Sequence, residues 1–308
     1  MLDVTVCILS YNRLAYLRET VTSVLAQTRQ PKKIAIYDNG SDVGVYAGMK
    51  EFIESGVHWI GAEVNHPFIW NFSRALTDSQ TKYTLLLHDD DRLCPDFLEA
   101  QTQLLDSNAA IVAASSNGYF IDENGVRSGR TLAPVGGSDS VEVYVCSGHV
   151  AMKYANNSCV PFSPAVYRNE IARSVKFREE FGKVADAVYF CDLADIGCVA
   201  CQTRPLYESR LHSGQDSQSF PYDLMNQLER FFESRTCLSK VEQVKLRALL
   251  VRQHTARNIK QALELLKKWN LSKAFSMIQD ERFRFVDALL LLTHWLVSAV
   301  AFKIKRLA

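Results

Sequence analysis

The residues best equipped for chemistry are His88-Asp89-Asp90-Asp91, which follow the apolar run Tyr83-Thr84-Leu85-Leu86-Leu87. Adjacent carboxylates repel one another, and a divalent cation is the usual remedy. Oxygen-rich sites of this kind suit Mg2+ or Mn2+, which keep several waters and take substrate phosphates into their shell. An acidic triplet by itself is more often a solvated loop or a helix cap. Its context favours the metal, because two other apolar runs also end in polar clusters. Val4 to Leu9 leads into Ser10-Tyr11-Asn12-Arg13, and Lys33 to Tyr37 leads into Asp38-Asn39-Gly40-Ser41-Asp42. In an open parallel sheet, ligands collect beyond the carboxyl ends of the strands, where loops and helix N-termini converge. Cys198-Val199-Ala200-Cys201 has the spacing of a zinc or redox pair, but Cys191 and Cys237 offer no second close pair and the surroundings look like strand. Small buried residues are the expectation there.

The elements that must position these clusters alternate. Helices are expected from about Leu14 to Gln27, Tyr46 to Ser55 and Ile69 to Leu76, between strands at Val4 to Leu9, Lys33 to Tyr37, Val57 to Ile60 and Tyr83 to Leu87. Such alternation implies an α/β sheet, largely parallel. After residue 110 the pattern loosens. Strands at Ala110 to Ser115, Val141 to Val145 and Thr203 to Ser209 flank polar stretches with a turn at Asp122-Glu123-Asn124-Gly125, so mixed strand directions are expected. From Tyr222 the chain is Gly-free and helical in pattern, which places a boundary near 220.

The chain has 308 residues, 47% of them apolar, enough for a large core, which excludes disorder as the main state. Lys and Arg total 35 against 34 Asp and Glu, for a net charge of +1, which argues against a nucleic-acid binder. The first residues read directly as a strand with no signal peptide, and the eight scattered cysteines suit a reducing cytoplasm.

Taken together, Thr5-Val6-Cys7-Ile8-Leu9-Ser10-Tyr11-Asn12-Arg13, Ile36 to Asp42, Leu85 to Leu98 and Arg210-Leu211-His212-Ser213-Gly214-Gln215-Asp216-Ser217 closely resemble the family 2 glycosyltransferases of the GT-A fold. The resemblance spans about residues 3 to 217 and rests on motifs in order at family-like separations. It implies a GT-A domain at 1–220, with a nucleotide-binding half at about 1–110 and an acceptor-binding half at 111–220, followed by a helical region at 221–308. It implies an inverting, metal-assisted transfer of a sugar from a nucleoside diphosphate to a saccharide hydroxyl.

Residue by residue, the resemblance puts Leu9, Ser10, Tyr11 and Arg13 in the nucleotide pocket and makes Asp38 an acceptor for the base. Asn65 and Asn71 fall in the segment that touches the donor, and Arg74 beside them could reach a phosphate. His88 stands at the usual first acidic position. Asp90 is the favoured metal ligand, Asp91 an alternative, and Asp89 lies near the ribose or the metal's waters. Asp186 matches the general base, with Ala185 where a Glu is common and Asp192 and Asp195 as fallbacks. His212 is able to complete a metal shell or contact the diphosphate, and Arg210 to grip phosphate.

The tail carries 11 Lys and Arg against 4 Asp and Glu over 251–308, and a 15-residue mainly apolar run at 288–302, short for a membrane span. It fits an interfacial helix on anionic lipid, a packed core helix or a dimer contact. The first would suit a lipid-linked acceptor in surface-polysaccharide assembly, such as lipopolysaccharide O-antigen, with the protein peripheral on the cytoplasmic face of the inner membrane. Two rival readings remain: a nucleotidyltransferase, and a non-catalytic nucleotide-sugar-binding scaffold.

Overall fold

The structure is a computed structural model and describes residues 1–135, 139–214 and 222–267. The chain divides into one unit of residues 1–154 and 158–237 and a second of 155–157 and 238 onward. The boundary falls beyond 220 because α9, Tyr222–Glu233, packs with the first unit, where Phe231 meets Phe181 at 5.4 Å between ring centroids.

The first unit is built on a ten-stranded sheet. Strands β1 (Leu2–Ser10), β2 (Pro31–Asp38), β3 (His58–Gly61) and β4 (Tyr83–His88) run parallel in the order β3-β2-β1-β4. β1 is buried from Val4 to Ser10, which is why it reads as an unbroken apolar run. Register levels the strand ends: Leu9 pairs with both Tyr37 and His88, and Ser10 pairs with Asp38. The three polar clusters therefore emerge side by side.

The helix expected at Tyr46 to Ser55 is two, α2 (Val43–Gly48) and α3 (Lys50–Glu54), broken at Met49. Met49 turns fully into the core, and Gly48 lies so close to Leu14 that a Cβ there would come within 2.4 Å of its side chain. The other early helices are α1 (Leu14–Leu25) and α4 (Phe68–Asp78).

Beyond β4 come a two-residue strand β5 (Arg92–Leu93), helix α5 (Phe97–Ser107) and an eleven-residue strand β6 (Ile111–Ile121) that turns back into β7 (Arg127–Thr131). β8 (Val141–Tyr144) precedes α6 (Ser147–Ala155). The sequence patterns did not suggest β9 (Ala165–Arg168), which lies antiparallel between β4 and β6. Four residues are too few for alternation to register. After α7 (Asn169–Ser174) and a 3-10 segment at Glu179–Val184 comes α8 (Ala185–Ala194), then β10 (Cys198–Arg210). β10 absorbs the Cys198/Cys201 pair as free cysteines within a strand parallel to β6.

In the second unit, α10 (Lys240–Lys267) opens on a capping box: Ser239 donates its N–H and hydroxyl to Glu242, whose N–H returns to Ser239 Oγ at 3.3 Å. The 288–302 run lies outside the described residues. Among the described residues, no helix is long and apolar enough to cross a membrane.

Candidate active site

The acidic triplet sits at the end of β4, and burial dominates its electrostatics. Asp89 is fully buried. Its Oδ2 accepts the Tyr11 N–H at 3.0 Å and its Oδ1 meets Arg13 Nη1 at 3.0 Å. Burial, with help from the Asp90 charge, still pushes its carboxyl up to about 6, against the opposing pull of Arg13. Asp91 is raised well above the ordinary range for the same two reasons, burial first. A cluster that strains to hold its negative charge would gain from a divalent cation. The donors fit one: among the described residues, His88, Asp90 and Asp91 each offer a ligand atom, all within 4.8 Å of one another.

His212, which the resemblance offers to the metal shell or the diphosphate, lies beside the triplet and is hydrogen-bonded on both ring nitrogens. Gly214 donates its N–H to Nδ1 at 3.2 Å, so the ring hydrogen sits on Nε2, which faces Asp90 Oδ2 at 3.0 Å. In this arrangement His212 orients Asp90 as a donor. Arg13 spans the same loop, giving Nη2–H to the Gly214 carbonyl at 3.2 Å.

Arg210 is corrected more sharply. It was expected to grip phosphate, yet its side chain is fully buried behind the triplet. Its backbone N–H goes to Asp91 Oδ1 at 3.1 Å, Nε–H to the Asp90 carbonyl at 2.9 Å, Nη1–H to the carbonyl of Glu123 at 3.2 Å, and Nη2–H to Glu19 Oε2 at 2.6 Å. The pairing of β10 with β6 and β5 carries it there, with Arg210 opposite Ile121 and Glu208 opposite Arg92.

One face of α1 supports this arrangement, and sequence reasoning missed it. The Tyr16 ring lies 4.4 Å from the Arg210 guanidinium and 5.1 Å from the His212 ring, Glu19 holds Arg210, and Thr20 donates its hydroxyl to the Asp91 carbonyl at 2.7 Å. Residues 16, 19 and 20 share a helical face. That spacing is visible in the sequence, but nothing local says what the face meets.

At the ends of β1 and β2 the expected donor pocket is partly formed. Asp38 Oδ2 accepts the N–H groups of Gly40 and Ser41 at 3.2 and 3.0 Å, while its Oδ1 and the Ser10 hydroxyl are buried with no hydrogen-bond partner among the described residues. Buried orphans of this kind are uncommon and leave room for a ligand's donors and acceptors. Leu9 is buried at the same strand end, and the Tyr11 side chain is 40% exposed there. Asn39 donates to Asn65 Oδ1 and to the His66 carbonyl, each at 2.8 Å, which ties the Asn65 segment to the end of β2.

Asn71, which the resemblance puts in the donor-touching segment, and Arg74 beside it both turn inward. Asn71 is buried and donates Nδ2–H to the Tyr37 carbonyl at 2.7 Å. Arg74 donates to the Ile60 carbonyl and lies over the rings of Trp70 and Tyr37, at 4.8 and 5.3 Å, so it braces β2 and β3 rather than reaching a phosphate.

Asp186 opens α8 with Ala187 N–H on its Oδ1 at 2.8 Å, and burial pushes its carboxyl up to about 6. Its charge is felt by Tyr154, Cys159 and Tyr167. Rings connect this helix to the triplet: Phe162 packs against Tyr189 and Phe190 of α8 and against Phe72, which stacks on His88. The fallback acids are engaged elsewhere, Asp192 in a two-point pair with Arg178 and Asp195 with the Ser147 N–H.

Comparison with known proteins gives the family and the fold. The family model for glycosyl transferase family 2 matches residues 5–175. A protein of Haemophilus influenzae described as an uncharacterized glycosyltransferase is 21% identical over 225 residues, covering 71% of this chain and 69% of its own. S. aureus TarS 1–349, solved in complex with UDP-GlcNAc, superposes with a TM-score of 0.64 at 15% identity, over 91% of this chain and 81% of TarS. A mannosyltransferase from Pyrobaculum calidifontis, solved with GDP-Man and Mn2+, superposes with a TM-score of 0.56 at 13% identity, over 96% and 80% of the two chains. Both solved structures share the GT-A architecture seen here, a mainly parallel curled sheet flanked by helices. The family match ends before Asp186, Arg210 and His212.

Proposed function

The chain belongs to glycosyl transferase family 2, and on that premise we propose that it is an inverting, metal-assisted enzyme that moves a sugar from a nucleoside diphosphate to a saccharide hydroxyl. The observation that carries this reading is the convergence of two sets of groups at the ends of adjacent strands. One is the charged set His88, Asp90 and Asp91; the other is the pair of buried, unpartnered oxygens at Ser10 and Asp38. The relatives solved with UDP-GlcNAc and with GDP-Man and Mn2+ support a nucleotide-sugar donor and a divalent cation here.

Asp38, Ser10 and the Tyr11 segment would hold the nucleoside, with Asn65 at the margin and Asp89 next to the ribose. His88, Asp90 and Asp91 would hold Mg2+ or Mn2+, which when bound neutralises charge on the departing diphosphate. Arg210 and Glu19 keep the carboxylates in place from behind. Asp186 takes the acceptor's proton as that oxygen attacks the anomeric carbon opposite the leaving diphosphate, and the configuration inverts. Its raised pKa suits a base that must hold a proton briefly and release it.

The test is a donor panel with Mn2+ and simple saccharide acceptors, read by phosphorus NMR for the leaving group and proton NMR for the anomer. Nucleoside diphosphate with inverted product is expected. Pyrophosphate would indicate a nucleotidyltransferase, and binding without turnover a scaffold. We extend the proposal to a lipid-linked acceptor of surface-polysaccharide assembly, with the protein peripheral on the cytoplasmic face of the membrane. Its support is the apolar run at 288–302 and the flanking Lys303, Lys305 and Arg306. Sedimentation with anionic and neutral liposomes tests it.

A further inference from the structure

We propose that His88 supplies an imidazole nitrogen to the divalent cation and makes this site prefer Mn2+ over Mg2+ far more strongly than an all-carboxylate site would. The inference rests on the metal-assisted reading above and concerns which atoms of this chain hold the ion.

The position of His88 is fixed from several sides. It is the last residue of β4, paired with Leu9, and its N–H is bound to Ser163 Oγ at 2.7 Å. Its ring stacks on Phe72 with an interplanar angle of 20°. Phe72 is itself held by Phe162 and Phe177 at 5.0 and 5.9 Å. A ring clamped this way loses little freedom on coordination.

From that position a ring nitrogen lies with the Asp90 and Asp91 oxygens in a set no wider than 4.8 Å. Opposite ligands of an octahedral ion with bonds of about 2.1 Å are roughly 4.2 Å apart, so sub-ångström adjustments close the shell. The other imidazole nearby is already committed, with Gly214 on Nδ1 and Asp90 on Nε2. Among the described residues, His88 is the histidine whose ring nitrogen falls within that set.

The chemistry follows from donor type. Mg2+ is a hard ion that favours oxygen and binds imidazole poorly, whereas transition-metal divalents accept nitrogen readily. A neutral imidazole in place of a carboxylate also removes one negative charge from the cluster. That weakens the purely electrostatic attraction on which Mg2+ depends, and the nitrogen bond compensates Mn2+ selectively.

The experiment uses the full chain with Mn2+ alone at pH about 8, where imidazole is neutral. Pulsed electron paramagnetic resonance of bound Mn2+ should show nitrogen modulation that changes when the histidines carry nitrogen-15. It should persist in His212→Gln and vanish in His88→Asp. Competition titrations should show the Mn2+ to Mg2+ affinity ratio falling by about tenfold or more in His88→Asp. Modulation that survives in His88→Asp, or is lost only in His212→Gln, overturns the assignment, as does an unchanged ratio. Mn2+ bound without any nitrogen signal overturns it while leaving metal assistance standing. A wild type that binds no Mn2+ overturns both.

Discussion

Glu19, on the first helix, and Arg210, at the end of the last strand, form a 2.6 Å ion pair across 191 residues of sequence, and the arginine's side chain is wholly buried. The guanidinium bridges this carboxylate to the backbone of the acidic triplet, so charge behind the site is balanced before any ligand arrives. Removing Glu19 takes a close carboxylate from a buried guanidinium, which costs more than losing an exposed pair. Because Glu19 itself is 40% exposed, water recovers part of that cost. Glu19→Ala should destabilise the protein by about 2 kcal/mol and weaken Mn2+ binding, read by urea unfolding and calorimetry. A loss below about 0.5 kcal/mol would show the pair to be incidental.

Asp90 faces both His212 and the candidate cation position. Asp90→Ala should abolish turnover and remove the metal-dependent part of donor binding, since Asp89 and Asp91 then repel the diphosphate uncompensated. Calorimetric titration of Mn2+ with nucleoside diphosphate into the wild type and the variant checks this. Metal-dependent binding that survives in the variant would show that Asp90 is not needed to hold the ion.

Asp186→Asn keeps shape but cannot take a proton. Turnover should fall by roughly 10²- to 10⁴-fold with donor affinity held within a few-fold. Near-normal turnover would remove the base assignment.

The same residue predicts pH behaviour of fixed sign. Burial pushes its carboxyl up to about 6 in the folded protein, from an ordinary value of about 3.8. The folded state therefore binds more protons between those values, and stability falls as pH rises through that window. Above it the ionised group costs up to about 3 kcal/mol, which Asp186→Asn should recover at pH 7 to 8 but not at pH 4. For the wild type, kcat/KM should fall as pH drops through about 6, as the base becomes protonated. Unfolding and rate profiles measured together test both halves. A stabilisation independent of pH would refute the linkage.

Gly40 has φ +80°, and a Cβ there would meet the Val64 carbonyl carbon at 2.4 Å and the Asn65 nitrogen at 2.7 Å. Gly40→Ala should lower stability by about 2 kcal/mol through strain and displacement of backbone. Shifting Asn65 away from Asn39 should weaken donor binding several-fold while leaving metal affinity intact. Thermal unfolding and paired titrations check it. Equal loss of both affinities would mean the whole sheet end had moved.

The sequence by itself determined the strand ends and the polar clusters they carry, because a strand buried on both faces is written locally as a continuous apolar run. Val4 to Leu9, Lys33 to Tyr37 and Tyr83 to Leu87 are such runs, and Ser10, Asp38 and Asp89 to Asp91 follow them directly. The Tyr46 to Ser55 pattern reads as one helix, whereas the chain breaks at Met49, whose side chain is wholly buried.

Tertiary structure alone decided which way the polar side chains face. Arg210 and Asn71 resemble ligand-binding residues in isolation, but each is buried against a backbone carbonyl from a distant part of the chain, the turn after β4 for Arg210 and β2 for Asn71, where a polar group must be satisfied. His212 became a donor to Asp90 through the Gly214 N–H, and Tyr16, Glu19 and Thr20 gained their role from the register that brings Arg210 to Asp91. His88 departs from an acidic pattern, and Phe72 and Ser163 hold it beside Asp90 and Asp91. Hydrophobic periodicity reports on a residue's own element. A hydrogen-bond partner some 120 residues away is set by strand pairing and burial, which no local pattern records.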